Sequence, residues 1–146
     1  MFAAFELAAK SGTAINLATD SIKLAIVNNT IIPTSSTALP TWGTAGTTNL
    51  SANEVTAGTS YTAGGIALTT VTYTEAGGVN TFKAANVTIA QDATGFTTGY
   101  YGILYDATDV NKHCIGFVDL GGPVSVQGGP ITISWNASGI FTETIA

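Results

Sequence analysis

Arginine is absent from this sequence, and charge of either sign is scarce. Four lysines (Lys10, Lys23, Lys83, Lys112) face nine acidic residues across 146 positions, and charged residues make up only 9% of the whole. A typical globular chain carries about 25%. Nucleic-acid recognition leans on arginine forks and basic stripes, so with a net charge of −5 no nucleic-acid partner is expected. Attachment to a membrane surface through a polybasic patch fails on the same count. No apolar run approaches the roughly 20 residues of a membrane-spanning helix, so no membrane partner is expected either. The single cysteine, Cys114, excludes an intramolecular disulfide framework. The opening Met1-Phe2-Ala3-Ala4-Phe5 has no basic flank, and Glu6 and Lys10 interrupt its apolar stretch, so no secretory signal is expected.

Threonine, serine, asparagine and glycine take the place of charge. The hydrophobic fraction is 45% and the mean hydropathy +0.35. Isoleucine, valine, tyrosine and phenylalanine are used freely, unlike in disordered chains. Threonine suits a pleated, half-buried strand surface. A threonine-rich skin is also easier to desolvate than one of lysine and glutamate, which points to a surface covered by neighbours in an assembly.

The length fits one domain spanning 1–146. Phe2, Phe5 and Ala9 recur at helical spacing, which predicts a short helix or arm over 1–12, ended by Ser11-Gly12. Too short to persist alone, it must pack on something. Ile22 to Val27 reads as a strand. Residues 30–66 form a long irregular loop region with Pro33, Pro40 and Trp42, and with a helical turn at Ser51 to Glu54 capped by Ser51. Antiparallel strands are expected over 67–146. They are Ala67 to Thr74, Thr81 to Ala90, a central strand Gly99 to Asp106, its return His113 to Leu120, then Ile131 to Trp135 and a short one within Gly139 to Ile145. Gly121-Gly122-Pro123 and Gly128-Gly129-Pro130 read as breakers. The expected architecture is mainly β: an antiparallel sandwich or barrel with a short N-terminal helix and one long loop.

No catalytic constellation stands out, and no enzyme is expected. His113, the one histidine, adjoins Cys114, and neighbours on a strand point to opposite faces. Two such ligands do not make a transition-metal site. Asp106 and Asp109 share a loop, with Asp92 and Asp119 as possible neighbours, but no EF-hand spacing is present, and no cofactor is expected. Trp42, between Pro40 and Gly43, either anchors the long loop to its own core or plugs into another subunit.

Four stretches carry a resemblance. They are Ser51-Ala-Asn-Glu-Val-Thr56, Tyr61-Thr-Ala-Gly-Gly-Ile-Ala-Leu68, Gly99-Tyr-Tyr-Gly-Ile-Leu-Tyr105 and Ile131-Thr-Ile-Ser-Trp-Asn-Ala-Ser-Gly-Ile140. With the opening helix and the strand Ile22 to Val27, the chain resembles small virion structural proteins of tailed bacteriophages over nearly its whole length. The resemblance implies a capsid decoration, or cement, protein on the outer surface of the head. Its partners would be the major capsid protein and its own copies, as trimer or dimer. It carries over no catalytic residue. The contact residues expected are Phe2, Phe5 and Leu7 of the N-terminal segment and Pro40 and Trp42 of the loop. Two other readings stand beside it: a tail, neck or fibre-base module, and a carbohydrate-binding β-sandwich using Trp42 and exposed tyrosines.

Overall fold

The computed structural model describes residues 1–12 and 15–144. The chain is mainly β. Its central sheet has the order β4-β1-β8-β9, built from β1 (Ile22–Val27), β4 (Ile66–Ala67), β8 (Gly99–Asp106) and β9 (Cys114–Val124), all antiparallel. β8 lies between β1 and β9, and from Gly102 to Asp106 every residue is buried. That explains its apolar run up to Tyr105: a strand covered on both faces has few positions for solvent-loving residues. β1 is buried at every position except the half-buried Lys23.

Smaller sheets pack around this centre. β5 (Thr72–Ala76), β6 (Val79–Lys83) and β11 (Phe141–Thr144) form a three-stranded sheet in the order β11-β6-β5, and Gly77-Gly78 turns its hairpin. β7 (Val87–Ile89) pairs with β10 (Ile131–Ile133). There Val87 and Ile89 point into the core, while Thr88 and Thr132 meet on the outer face through their hydroxyls at 3.1 Å. Among the described residues no sheet closes on itself, so the barrel alternative falls and a sandwich-like stack remains.

The helix α1 (Ala3–Lys10) is held by its start. The Phe2 amide donates to the Ile115 carbonyl at 2.9 Å and the Ala3 amide to Ser35 at 2.9 Å. The Phe2 ring tilts against Phe117 at 5.4 Å. Phe2, Phe5 and Ala8 form the buried stripe, and Ala9, expected on it, is exposed. With Phe2 at the cap position no side chain caps the helix, so packing on β9 has to stabilise it.

Three sequence expectations change. The single strand foreseen over Ala67 to Thr74 is two, because Thr70 adopts φ +52 and redirects the chain from the central sheet to the three-stranded one. Thr81 to Ala90 likewise divides into β6 and β7, which belong to different sheets. Gly121-Gly122-Pro123 does not end β9. The register against β8 shifts between Gly99 and Tyr101, and Gly121 and Gly122, at φ +82 and +125, let the extra residues bulge without breaking the strand.

The long loop region is irregular but tied down. β2 (Pro40–Thr41) and β3 (Thr48–Asn49) pair in parallel, and a 3-10 turn, Leu50–Asn53, follows directly. Leu50 is fully buried. The cap is Asn49, whose side chain accepts from the Ser51 amide at 3.0 Å, and not Ser51 itself.

Candidate interaction surface

The five expected contact residues separate sharply. Phe2, Phe5, Pro40 and Trp42 are buried within the chain's own core. Trp42 is only 6% exposed and stacks on Tyr105, with ring centres 5.0 Å apart and planes 11° from parallel. Its amide donates to the Lys112 carbonyl at 2.9 Å. Of the two roles open to Trp42, anchoring its own loop is the one this geometry supplies. In this fold these four side chains pack into the chain's own core. Leu7 is the exception, at 69% exposed.

Leu7 marks a concave surface that the sequence did not reveal as a unit. Ala4, Leu7, Ala8 and Ser11 on the outer side of α1 face Leu39 and His113 across a hollow of about 420 Å³. Leu39 is itself 39% exposed and sits at φ +33, a backbone region that a branched residue rarely adopts. Its carbonyl accepts from the Thr47 amide at 3.1 Å, which helps hold it there. Among the described residues no lysine or acid lines the hollow. The only sequence signal for it was Leu7, an apolar residue off the buried stripe of α1.

The polar groups behind this surface are engaged within the fold. His113 Nδ1 and its backbone N–H both meet Asp109 Oδ2, at 2.5 and 2.9 Å. Burial pushes the Asp109 carboxyl up, but the His113 backbone and ring bonds outweigh it and hold the pKa below the usual carboxylate value. Cys114, next in sequence, is fully inside the core, and burial pushes its thiol far up, away from thiolate.

The four loop aspartates do not converge. Asp92 accepts from the Thr94 amide (3.0 Å) and hydroxyl (2.9 Å), and also from the Thr59 amide (2.6 Å) and the Ser60 amide (3.2 Å). These donors, the Thr94 amide foremost, hold its carboxyl well below the ordinary range. Asp119 accepts from the Gly121 amide at 2.8 Å. Among the described residues no group of three or more His, Cys, Asp or Glu side chains comes together to hold a metal ion. Nor is any described helix long and apolar enough to cross a membrane.

Asp106 differs from the other three. It is wholly buried at the end of β8, and its Oδ1 accepts from the Thr108 and Asp109 amides at 2.8 and 3.1 Å. Its Oδ2 has no hydrogen-bond partner among the described residues. Burial pushes this carboxyl up to about 6 against the pull of the two amides, and the Asp20 carboxyl beside it adds to the rise. The folded state therefore keeps a proton that an unfolded aspartate releases near pH ~4. Between about pH 4 and 6 the folded state binds more protons, so stability falls as pH rises through that window and then levels off. Asp106→Asn is expected to raise stability above pH ~6 by on the order of 2 kcal/mol and to flatten the slope below it. The side-chain amide so introduced would still accept the two N–H bonds and could donate to Asp20. Thermal midpoints from pH 4 to 8 test this, and a variant less stable than wild type at pH 7.5 would show that ionised Asp106 is not penalised.

No family model, no curated protein and no solved structure matches this chain.

Proposed function

We propose that this protein is a structural subunit of a tailed-bacteriophage virion, a decoration protein that binds the outer surface of the head and bridges neighbouring capsid subunits. The observation that carries this reading is the hollow on the outer side of α1, rimmed by exposed Leu7 and by Leu39 in a strained backbone. Exposed apolar side chains around a concavity mark contact sites more often than chance. The helix bearing Leu7 is fixed to β9 through Phe2, so it can present that residue without a large ordering cost. The sequence resemblance, which covers nearly the whole chain, supplies the virion context.

Bridging works by addition. Each copy makes a few weak contacts, and attachment at two subunits turns the second contact into an intramolecular one. A binder that prefers the mature shell then stabilises it by mass action. A trimer or dimer at symmetry axes would multiply the effect.

The test adds purified protein to heads that lack it and measures occupancy by co-sedimentation. Wild type is expected to bind, and the double substitution Leu7→Asp with Leu39→Asp to lower occupancy by about tenfold or more with little change in melting temperature. Undiminished binding by the variant would remove the hollow from the proposal. Failure of the wild type to sediment with heads would remove the proposal itself. A tail or neck module would bind in only a few copies per particle. The carbohydrate-binding reading has lost its main platform, because Trp42 is stacked inside the core.

A further inference from the structure

Asp20 and Asp106 lie side by side where the lead-in to β1 meets the loop between β8 and β9. Ile22 pairs with Asp106 across the two strands. The Ser21 carbonyl accepts from the Ala107 amide at 2.8 Å, and the Ser21 amide donates to the Thr108 hydroxyl oxygen at 2.9 Å. These bonds hold the two carboxyl groups together, so that the charge of Asp20 acts directly on Asp106. Oxygens are left over at this seam. Asp106 uses Oδ1 for two amides, and its Oδ2 is buried with no partner among the described residues. The Asn16 amide, at 2.6 Å, takes one oxygen of Asp20, Oδ2. Neither carboxyl joins an ion pair among the described residues. The neighbouring titratable groups are turned elsewhere. The Asp109 carboxylate is held by His113, and Lys23 lies on the opposite face of β1, across from Tyr105.

A buried oxygen without a partner calls for a proton, a water or an ion. The occupant has to be small. Asp106 is wholly enclosed, so no side chain of another protein reaches it, while half-buried Asp20 gives the way in from solvent. We propose that Asp20 and Asp106 form a binding site for one calcium ion, which clips the lead-in to β1 onto the end of β8. The ion takes the place of the proton that burial otherwise keeps on Asp106. The donor set selects it. Two ionised carboxylates are neutralised by one divalent ion and not by one monovalent ion. The donors at the seam are hard oxygens. The one imidazole nearby is engaged by Asp109 and the one thiol is sealed in the core, so a zinc-type ion finds no nitrogen or sulfur ligand. Magnesium demands near-ideal octahedral geometry and gives up water reluctantly, whereas calcium accepts irregular oxygen ligands and completes its shell with water. With two carboxylates and no third acid among the described residues, the site is weak, with a dissociation constant of about 10⁻⁴ to 10⁻³ M. It shares no residue with the hollow at Leu7 and stands independently of the virion reading.

The experiment strips the full chain with a chelator at pH 7.5 and adds calcium chloride, with magnesium chloride and sodium chloride at matched ionic strength in parallel. Calcium at about 10 mM is expected to raise the melting midpoint saturably by about 3 °C or more, and to shift the Ser21, Thr108 and Asp109 amides of the isotope-labelled chain. Magnesium should bind at least about fivefold more weakly. At pH 5 calcium should also bind at least about fivefold more weakly, because protons compete for Asp106. Asp106→Asn and, separately, Asp20→Asn should each abolish the calcium shift. Asp106→Asn is expected to be the more stable protein without calcium, so its silence would not reflect a failure to fold. Asp119→Asn, at an exposed aspartate elsewhere, should keep the full response. No shift beyond that of sodium chloride, an equal response to magnesium, or a full response in Asp106→Asn would overturn the proposal. None of these outcomes bears on binding to phage heads.

Discussion

Trp42→Ala is expected to lower the unfolding free energy by about 3–5 kcal/mol, the cost of emptying a large aromatic site in a core. Trp42 is the large aromatic anchor of its loop, beside the fully buried Leu50. The loop pairs through the two-residue parallel contact of β2 with β3, the bridge of Thr41 to His113 and the bond from the Trp42 amide to Lys112. Removing the indole also leaves one face of Tyr105 without its stacking partner. Tyr105 sits in β8, at the centre of the main sheet, so the damage reaches beyond the loop. Trp42→Phe should recover roughly half the loss, because a ring can still stack. Urea unfolding followed by far-ultraviolet circular dichroism measures both. A Trp42→Ala variant within about 0.5 kcal/mol of wild type would mean that the indole is not part of the core.

The second large effect is expected from removing one oxygen. Tyr61→Phe should cost about 2–3 kcal/mol, because it strips a buried amide and a carboxylate of the same partner. β4 pairs with β1 only at Lys23 and Leu24. Beyond that point the edge of β1 is completed by other groups. The Ile26 amide donates to the Tyr61 hydroxyl at 2.8 Å, and the Ile26 carbonyl accepts from the Val55 amide at 3.0 Å. The hydroxyl in turn donates to Glu54 Oε1 at 2.8 Å, which also accepts from the Gly64 amide at 2.7 Å. Tyr105 closes the cluster by donating to the Gly64 carbonyl at 2.7 Å. Burial drives the Tyr61 phenol far up in pKa, so it remains a neutral donor at any working pH. Phenylalanine keeps the edge-on contact with Phe96, at 5.5 Å, and so isolates the hydroxyl. Hydrogen exchange at the Ile26 amide gives the local measure. Unchanged protection there, with unchanged global stability, would show that the bond contributes nothing.

Legibility in the sequence followed the range of the interactions concerned. Ile22 to Val27 and Gly99 to Asp106 could be read because their patterns are local: runs of β-branched, aliphatic and aromatic residues. The helix was readable for the same reason, although its packing stripe runs Phe2, Phe5, Ala8 and not through Ala9. The break at Thr70 could not be read, because threonine favours strands and nothing local requires φ +52 there. The passage of β9 through Gly121-Gly122-Pro123 was hidden for the opposite reason. Residues that end strands elsewhere are tolerated here because the bulge removes them from the ladder. Of the candidate surface only Leu7 was legible; Leu39 and His113, which face it, lie far away in the chain.

Composition and short-range pattern by themselves determined a β-rich domain with an N-terminal helix, few charges and one strand buried on both faces. They also determined that the chain has no arginine to offer a partner. Tertiary structure alone decided that Trp42 closes its own loop while Leu7 stays outside. It alone decided that Tyr61 finishes the edge of β1 and that Asp106 is sealed beside Asp20. Burial is a property of what lies opposite a residue, and what lies opposite is fixed by strand order and register, which no window of neighbouring residues contains.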